Sequence, residues 1–236
     1  MSKNRWEQLA GAGGIAYVVL QLIAQGLIQI GGAEPSFNAP AGEILSFFEN
    51  RNQLLFNAGG FLSSLSILAF IWFLGALWAR LRRHEGAPAW MSLVAFGTAL
   101  AGVAVSMASD GWGLAVFRIE EGLDPQLARY LFDDGNLGFA TLWVFLAGFL
   151  LATSIVTLRD GALPRWLGWL GLVAGAALLI GRAFWDLPSG AIFIPYMLFY
   201  LWLIAASIVL IRVAGRANEP AGEQSERNKA IKEAVA

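Results

Sequence analysis

Apolar residues in this chain come in runs too long for the core of a soluble domain. Runs near 9–30, 54–79, 89–117, 137–158, 165–185 and 191–213 each supply the roughly 20 apolar residues that a helix needs to cross a bilayer. The segments between them are short and carry most of the charge. The pattern therefore predicts an all-α bundle of six transmembrane spans over 1–213, followed by a charged tail over 214–236. That tail is balanced in sign and rich in Ala and Glu, so it reads as solvated, disordered or with a short helix after Ser225. Gly31-Gly32-Ala33 before Glu34 has the small residues of a cleavage site. The preceding run is long, interrupted by glutamine and preceded by Glu7, so the first span is expected to be retained.

The first run carries a polar interruption with a period. In QLIAQGLIQIGG, residues 21–32, Gln21, Gln25 and Gln29 recur every four residues, which on a helix returns each to nearly the same face. A stripe of amides in lipid needs partners, and Asn57, Ser63, Ser64 and Ser66 on the second run offer them. The stripe is either glue between helices or one wall of a polar cavity that opens outward.

Composition supports the membrane reading. Hydrophobic residues make up 57% of the chain, the mean hydropathy is +0.60, and only 14% of residues are charged, against about 25% in an ordinary soluble domain. Ten Trp and sixteen Phe suit an interfacial aromatic belt. A net charge of −1 gives no basic excess for phosphates, so nucleic acid is not an expected partner; membrane lipid is. Cysteine is absent, which removes disulfides, thiolate metal sites and cysteine nucleophiles together.

Charge asymmetry sets an expected orientation. Of the sixteen basic residues, all but Arg51, Arg118, Arg129 and Arg182 fall before span one, between spans two and three, between spans four and five, or after span six. The opposite loops hold Glu34, Glu43, Glu49, Asp110, Glu120, Glu121, Asp124, Asp133, Asp134 and Asp186. By the positive-inside rule both termini are expected in the cytoplasm.

An internal repeat is also expected. A shift of 76 residues aligns Arg83 with Arg159, Pro88 with Pro164, Trp90 with Trp166 and Asp110 with Asp186. Proline suits the first turn of a helix, and a nearby Trp suits the headgroup level. Ala95 and Ala99 align with Gly171 and Gly175, small residues that let helix backbones approach closely. LSFFENRN before span two matches RYLFDDGN before span four, pairing Phe48 with Phe132, Glu49 with Asp133 and Asn52 with Asn136. The expected unit is an outer amphipathic helix, a span, a Pro-x-Trp turn and a returning span that ends in aspartate.

The segments ALPRWLGWLGLVAGAALLI and FDDGNLGFATLWVFLAGFLL, set in this six-span pattern, resemble a large bacterial family of multi-spanning membrane proteins classed as a domain of unknown function. The resemblance covers most of 8–213 and is most specific at the LPRWLGW turn, Leu163 to Trp169. It implies the fold and carries no activity, substrate or catalytic residue.

Candidate chemistry is bounded mostly by what is missing. His84 is the only histidine and lies in a basic turn, so bis-histidine haem, a histidine zinc site and a serine–histidine dyad have no support, and no cofactor or metal is expected. No Gly-rich loop ends in Gly-Lys-Ser/Thr, which argues against an ATPase. What remains is acidic: Asp110, Asp186, Glu49, Asp133 and Asp134 at the outer ends of spans, with Arg182 one turn before Asp186. Two readings stand. In one, these residues with Gln21, Gln25, Gln29 and Asn57 bind or move a small solute or cation. In the other, a non-catalytic structural or regulatory protein uses them only to cap and pack helices.

Overall fold

The computed structural model describes residues 3–30, 32, 34–185 and 193–216. Among these the chain forms eight α-helices: α1 (Lys3–Ile28), α2 (Ala41–Glu49), α3 (Gln53–Glu85), α4 (Trp90–Ala108), α5 (Gly111–Arg118), α6 (Pro125–Asp160), α7 (Arg165–Ala183) and α8 (Ile194–Arg216), with a 3-10 turn at Ile119–Glu121. Six helical stretches are long and apolar enough to span a bilayer, and they coincide with the six apolar runs. Asp186 and the tail beyond residue 216 lie outside the described residues.

Helix α6 organises the bundle. It takes α4 along one side and α7 along another, while α1 packs between α3 and α8, and α8 closes against α7. Phe73, Phe149, Leu150, Leu167, Phe199 and Trp202 form part of one continuous core. The small residues of α4 and α7 serve this packing within the chain. Ala95 and Ala99 are buried, and a Cβ on Gly171 would stand 2.3 Å from Ser154 Oγ and 2.9 Å from Trp202 Nε1. Outward-facing Phe61, Trp72, Leu93, Trp169 and Ile180 are exposed, as lipid-facing side chains should be. Trp90 and Trp166, in the first turns of α4 and α7, are exposed to nearly the same degree, 54% and 55%.

Two helices outgrow the membrane. At about 1.5 Å per residue, the 33 residues of α3 and 36 of α6 exceed a hydrocarbon core of about 30 Å. The beginning of α6 carries a separate cap with its own core. There Ile44, Phe47 and Phe48 of α2 meet Ala115 and Val116 of α5 and Leu131 and Phe132 of α6. Helix α2 buries positions i, i+3 and i+4 and exposes Glu43, Ser46 and Glu49, so its amphipathic pattern decides its place.

The third run departs from expectation. Expected as one helix over 89–117, it breaks at Ser109, and α5 starts anew at Gly111. Asp110 accepts a hydrogen bond from Gly113 N at 3.2 Å and so caps α5. The break also lets the chain press onto α6. A Cβ on Gly111 would lie 2.1 Å from Leu131 O, and one on Gly138 would lie 2.1 Å from Ser109 Cβ. Trp112 sits beside Gly135, stacks on Phe132 at 5.6 Å and donates to Phe132 O at 3.3 Å.

The outer amphipathic segments also differ from each other. In the first, Asn50 ends α2 and Asn52 caps α3 by accepting from Leu55 N at 3.0 Å. In the second the helix runs unbroken from Pro125 into the span, started by Asp124, which accepts from Gln126 N and Leu127 N. The opposite, turn end of the bundle is clamped twice. Arg80 of α3 donates to Ala162 O after α6, and Arg159 of α6 faces Glu85 of α3.

Candidate functional site

The residues singled out by sequence fall into separate places. Gln21 is buried and meets Ser63, its Nε2 donating to Ser63 Oγ at 3.1 Å. Gln25, Gln29 and Asn57 are exposed. A four-residue step advances about 40° beyond a full turn, so by Gln29 the stripe has rotated out of the α1–α3 interface. Asp110 is an exposed helix cap. Asp133 is held by Arg129, whose Nε lies 3.0 Å from Oδ2, and Arg129 Nη1 donates to Ala39 O at 2.7 Å. Asp134 lies beside the start of α5, within 3.1 Å of where a Cβ of Gly111 would stand. Glu49 is exposed, and Arg182 is half-buried in the last turn of α7 with no ion pair among the described residues. Asp186 lies outside those residues, so its proximity to Asp110 is not described. No group of three His, Asp or Glu able to hold a metal ion occurs among the described residues.

The most unusual polar group is one that sequence reasoning counted only as a charge. Arg51 lies in the three-residue link between α2 and α3 and is 7% exposed. Its guanidinium carbon stands 3.8 Å over the Phe47 ring, a cation–π geometry, and Nη1 donates to Ile30 O at 3.3 Å. Nε and Nη2 are buried without a hydrogen-bond partner among the described residues. Burial lowers the pKa of this guanidinium from its usual value, and the charge of Glu34 pulls it back up. Glu34 is an exposed residue, but protein packed around its carboxyl pushes that group up to about 7. Arg51 and Asn136 pull the other way. The only sequence signal for this arrangement is local: Phe47 precedes Arg51 by one helical turn, and Asn50 and Asn52 flank it as the end and the cap of two helices.

Inside the bundle other polar groups are enclosed. Tyr17 of α1 and Tyr196 of α8 share a hydrogen bond at 3.0 Å. The hydroxyls of Thr153, Ser154 and Thr157 on α6 and Ser207 on α8 are buried and find no partner among the described residues. Open clefts among the described residues include one at each end of the bundle. One at the turn end is lined by Glu7, Arg80 and Arg83 with apolar residues of α3 and α8; the other at the cap is lined by Arg118, Glu121, Asp124 and neighbouring leucines. Neither is lined by the glutamine stripe.

These features define an all-α, multi-span integral membrane protein with a small helical cap. Comparison with protein-family models, curated proteins and solved structures found no match, so no relative lends this chain an activity.

Proposed function

We propose that the protein lies in the bacterial cell membrane with both termini in the cytoplasm and its cap outside, as a non-catalytic structural or regulatory helix bundle. The observation that carries this reading is that three of the conspicuous polar residues have structural partners: Gln21 joins α1 to α3, Asp110 caps α5, and Asp133 holds Arg129 against the loop before α2. The resemblance of the LPRWLGW turn and the duplication of the two hairpins belong to the same reading, supported by the matched exposure of Trp90 and Trp166. Because the chain has no cysteine, single introduced thiols test orientation cleanly. A membrane-impermeant maleimide should label Asn50→Cys in intact cells and His84→Cys only after lysis; the reverse pattern would invert the topology. For the structural role, Gln21→Ala and Asp110→Asn should lower thermal stability while leaving the response to cations and small metabolites unchanged.

A second reading, movement of a small solute or cation, is favoured by the unpartnered hydroxyls of Thr153, Ser154, Thr157 and Ser207 inside the bundle. It requires proteoliposomes containing the protein to take up a labelled solute or cation faster than empty ones, and replacement of these residues by Ala or Val to slow that uptake. Equal uptake leaves the structural role standing.

A further inference from the structure

At the cap, α5 and the start of α6 leave an open cleft of about 350 Å³ between them. Its walls are apolar: Leu114 of α5, Leu127 and Leu131 of α6, and Leu123 in the turn that joins them. These leucines stand clear of the hydrocarbon. Helices α4 and α7 have 19 residues each, about 28 Å at 1.5 Å per residue, which matches a core of about 30 Å. The outer edge of that core therefore lies near Ser109, level with Gly138 of α6, where the two helices meet. Leu127 precedes Gly138 by eleven residues, which places it about 16 Å further out. Leu114 and Leu127 are each 47% exposed. Apolar surface gathered in a concavity outside the lipid core is the mark of a ligand cleft, and such clefts start at about 300 Å³.

We propose that this cleft binds a small hydrophobic cation, an organic ammonium ion whose hydrocarbon body lies on the leucines and whose charge faces Asp124. Charge complementarity selects the sign. Residues 110–127 carry Asp110, Glu120, Glu121 and Asp124 against Arg118 alone, and Arg118 is already paired with Glu121 at 2.7 Å. Asp124 borders the cleft with one oxygen open: Oδ1 accepts from Gln126 N and Leu127 N, and Oδ2 accepts no hydrogen bond among the described residues. The same charges disfavour other occupants. A lipid chain rising along α6 would pass Asp134, seven residues and two turns below Leu127 on the same face. A second copy docked through this face in a two-fold contact would set the same acidic surface against itself.

The test uses the full-length protein in maltoside micelles and a shape-matched pair of probes, tetraphenylphosphonium and its anionic counterpart tetraphenylborate. Equilibrium dialysis against empty micelles should show saturable binding of the phosphonium and none of the borate, weakening as salt is added. Asp124→Asn removes the charge but keeps an N-cap acceptor. Its Tm should hold while affinity falls about three- to fivefold, as on loss of an exposed ion pair. Leu127→Gln, at an exposed helical position, should fold and weaken binding at least as much. Equal uptake of the two ions, or phosphonium binding untouched by both substitutions, would mean partition into the micelle and overturn the site. Preference for the borate, lost in Arg118→Gln, would overturn the sign of the charge. In nanodiscs of phosphatidylcholine the phosphonium should still bind above empty discs; binding in micelles alone would give the cleft to lipid chains and end the proposal. Dimerisation that abolishes phosphonium binding would end it too, by assigning the cleft to a second copy.

Discussion

Arg159 Nη2, at the end of α6, lies 3.8 Å from Oε1 of Glu85, the last residue of α3. Glu85 is committed elsewhere as well: it accepts from Met91 N at 3.0 Å, from Ser92 N at 2.8 Å and from the Ser92 hydroxyl. One buried carboxylate thus closes the start of α4 and links the two hairpin turns. Its partner Arg159 is half exposed and also bonded to Asp160. Glu85→Ala, which strands two backbone N–H groups, should cost about 1–3 kcal/mol. Arg159→Ala should cost much less, because exposed ion pairs contribute little. Equilibrium unfolding in mixed micelles would rank the two, and equal losses would mean that the bridge rather than the cap holds the turn.

The glutamine stripe predicts a graded outcome. Gln21→Ala removes the bond to Ser63 and should destabilise by about 0.6 kcal/mol, the average for hydrogen bonds between membrane helices. Gln25→Ala and Gln29→Ala should have no effect, because both side chains are exposed. If all three variants lose stability alike in the same unfolding assay, the stripe faces a partner that the single chain does not contain.

Contact between cap and bundle depends on a glycine. A Cβ at Gly138 would collide with Ser109, so Gly138→Ala should cost about 1–3 kcal/mol, as overpacking does. Ser109→Gly in the same chain should restore much of that loss. Thermal melts of the single and double variants provide the check; failure of rescue would place the strain elsewhere.

Glu34 gives a pH dependence with a definite sign. Its carboxyl is raised from an ordinary 4.5 to about 7 in the fold, so between these values the folded protein binds more protons than the unfolded chain. Stability is therefore fully present below pH of about 4.5 and falls as pH rises through about 7. Glu34→Gln should flatten this part of the profile, read as Tm against pH. A profile unchanged by the substitution would assign the dependence to another group.

Hydrophobic length alone determined the six spans, because a bilayer requires about 20 apolar residues per crossing whatever the tertiary arrangement. The amphipathic α2 was equally readable, since Ile44, Phe47 and Phe48 recur at helical spacing among polar residues. The break at Ser109 was hidden in a continuous apolar run. Only the approach of Gly111 and Gly138 between α5 and α6, a contact across the chain, makes a new helix start there. The same holds for the polar residues. Spacing put Gln21, Gln25 and Gln29 on one stripe, but helical drift and the position of α3 left only Gln21 buried against a partner. Arg51 is the sharpest case: sequence fixed its charge and its place between two asparagines, whereas its burial depends on Phe47 beneath it and Ile30 beside it. Local pattern governs which segments are helices and which faces are apolar. Partnership between polar groups distant in sequence is decided only when those helices pack.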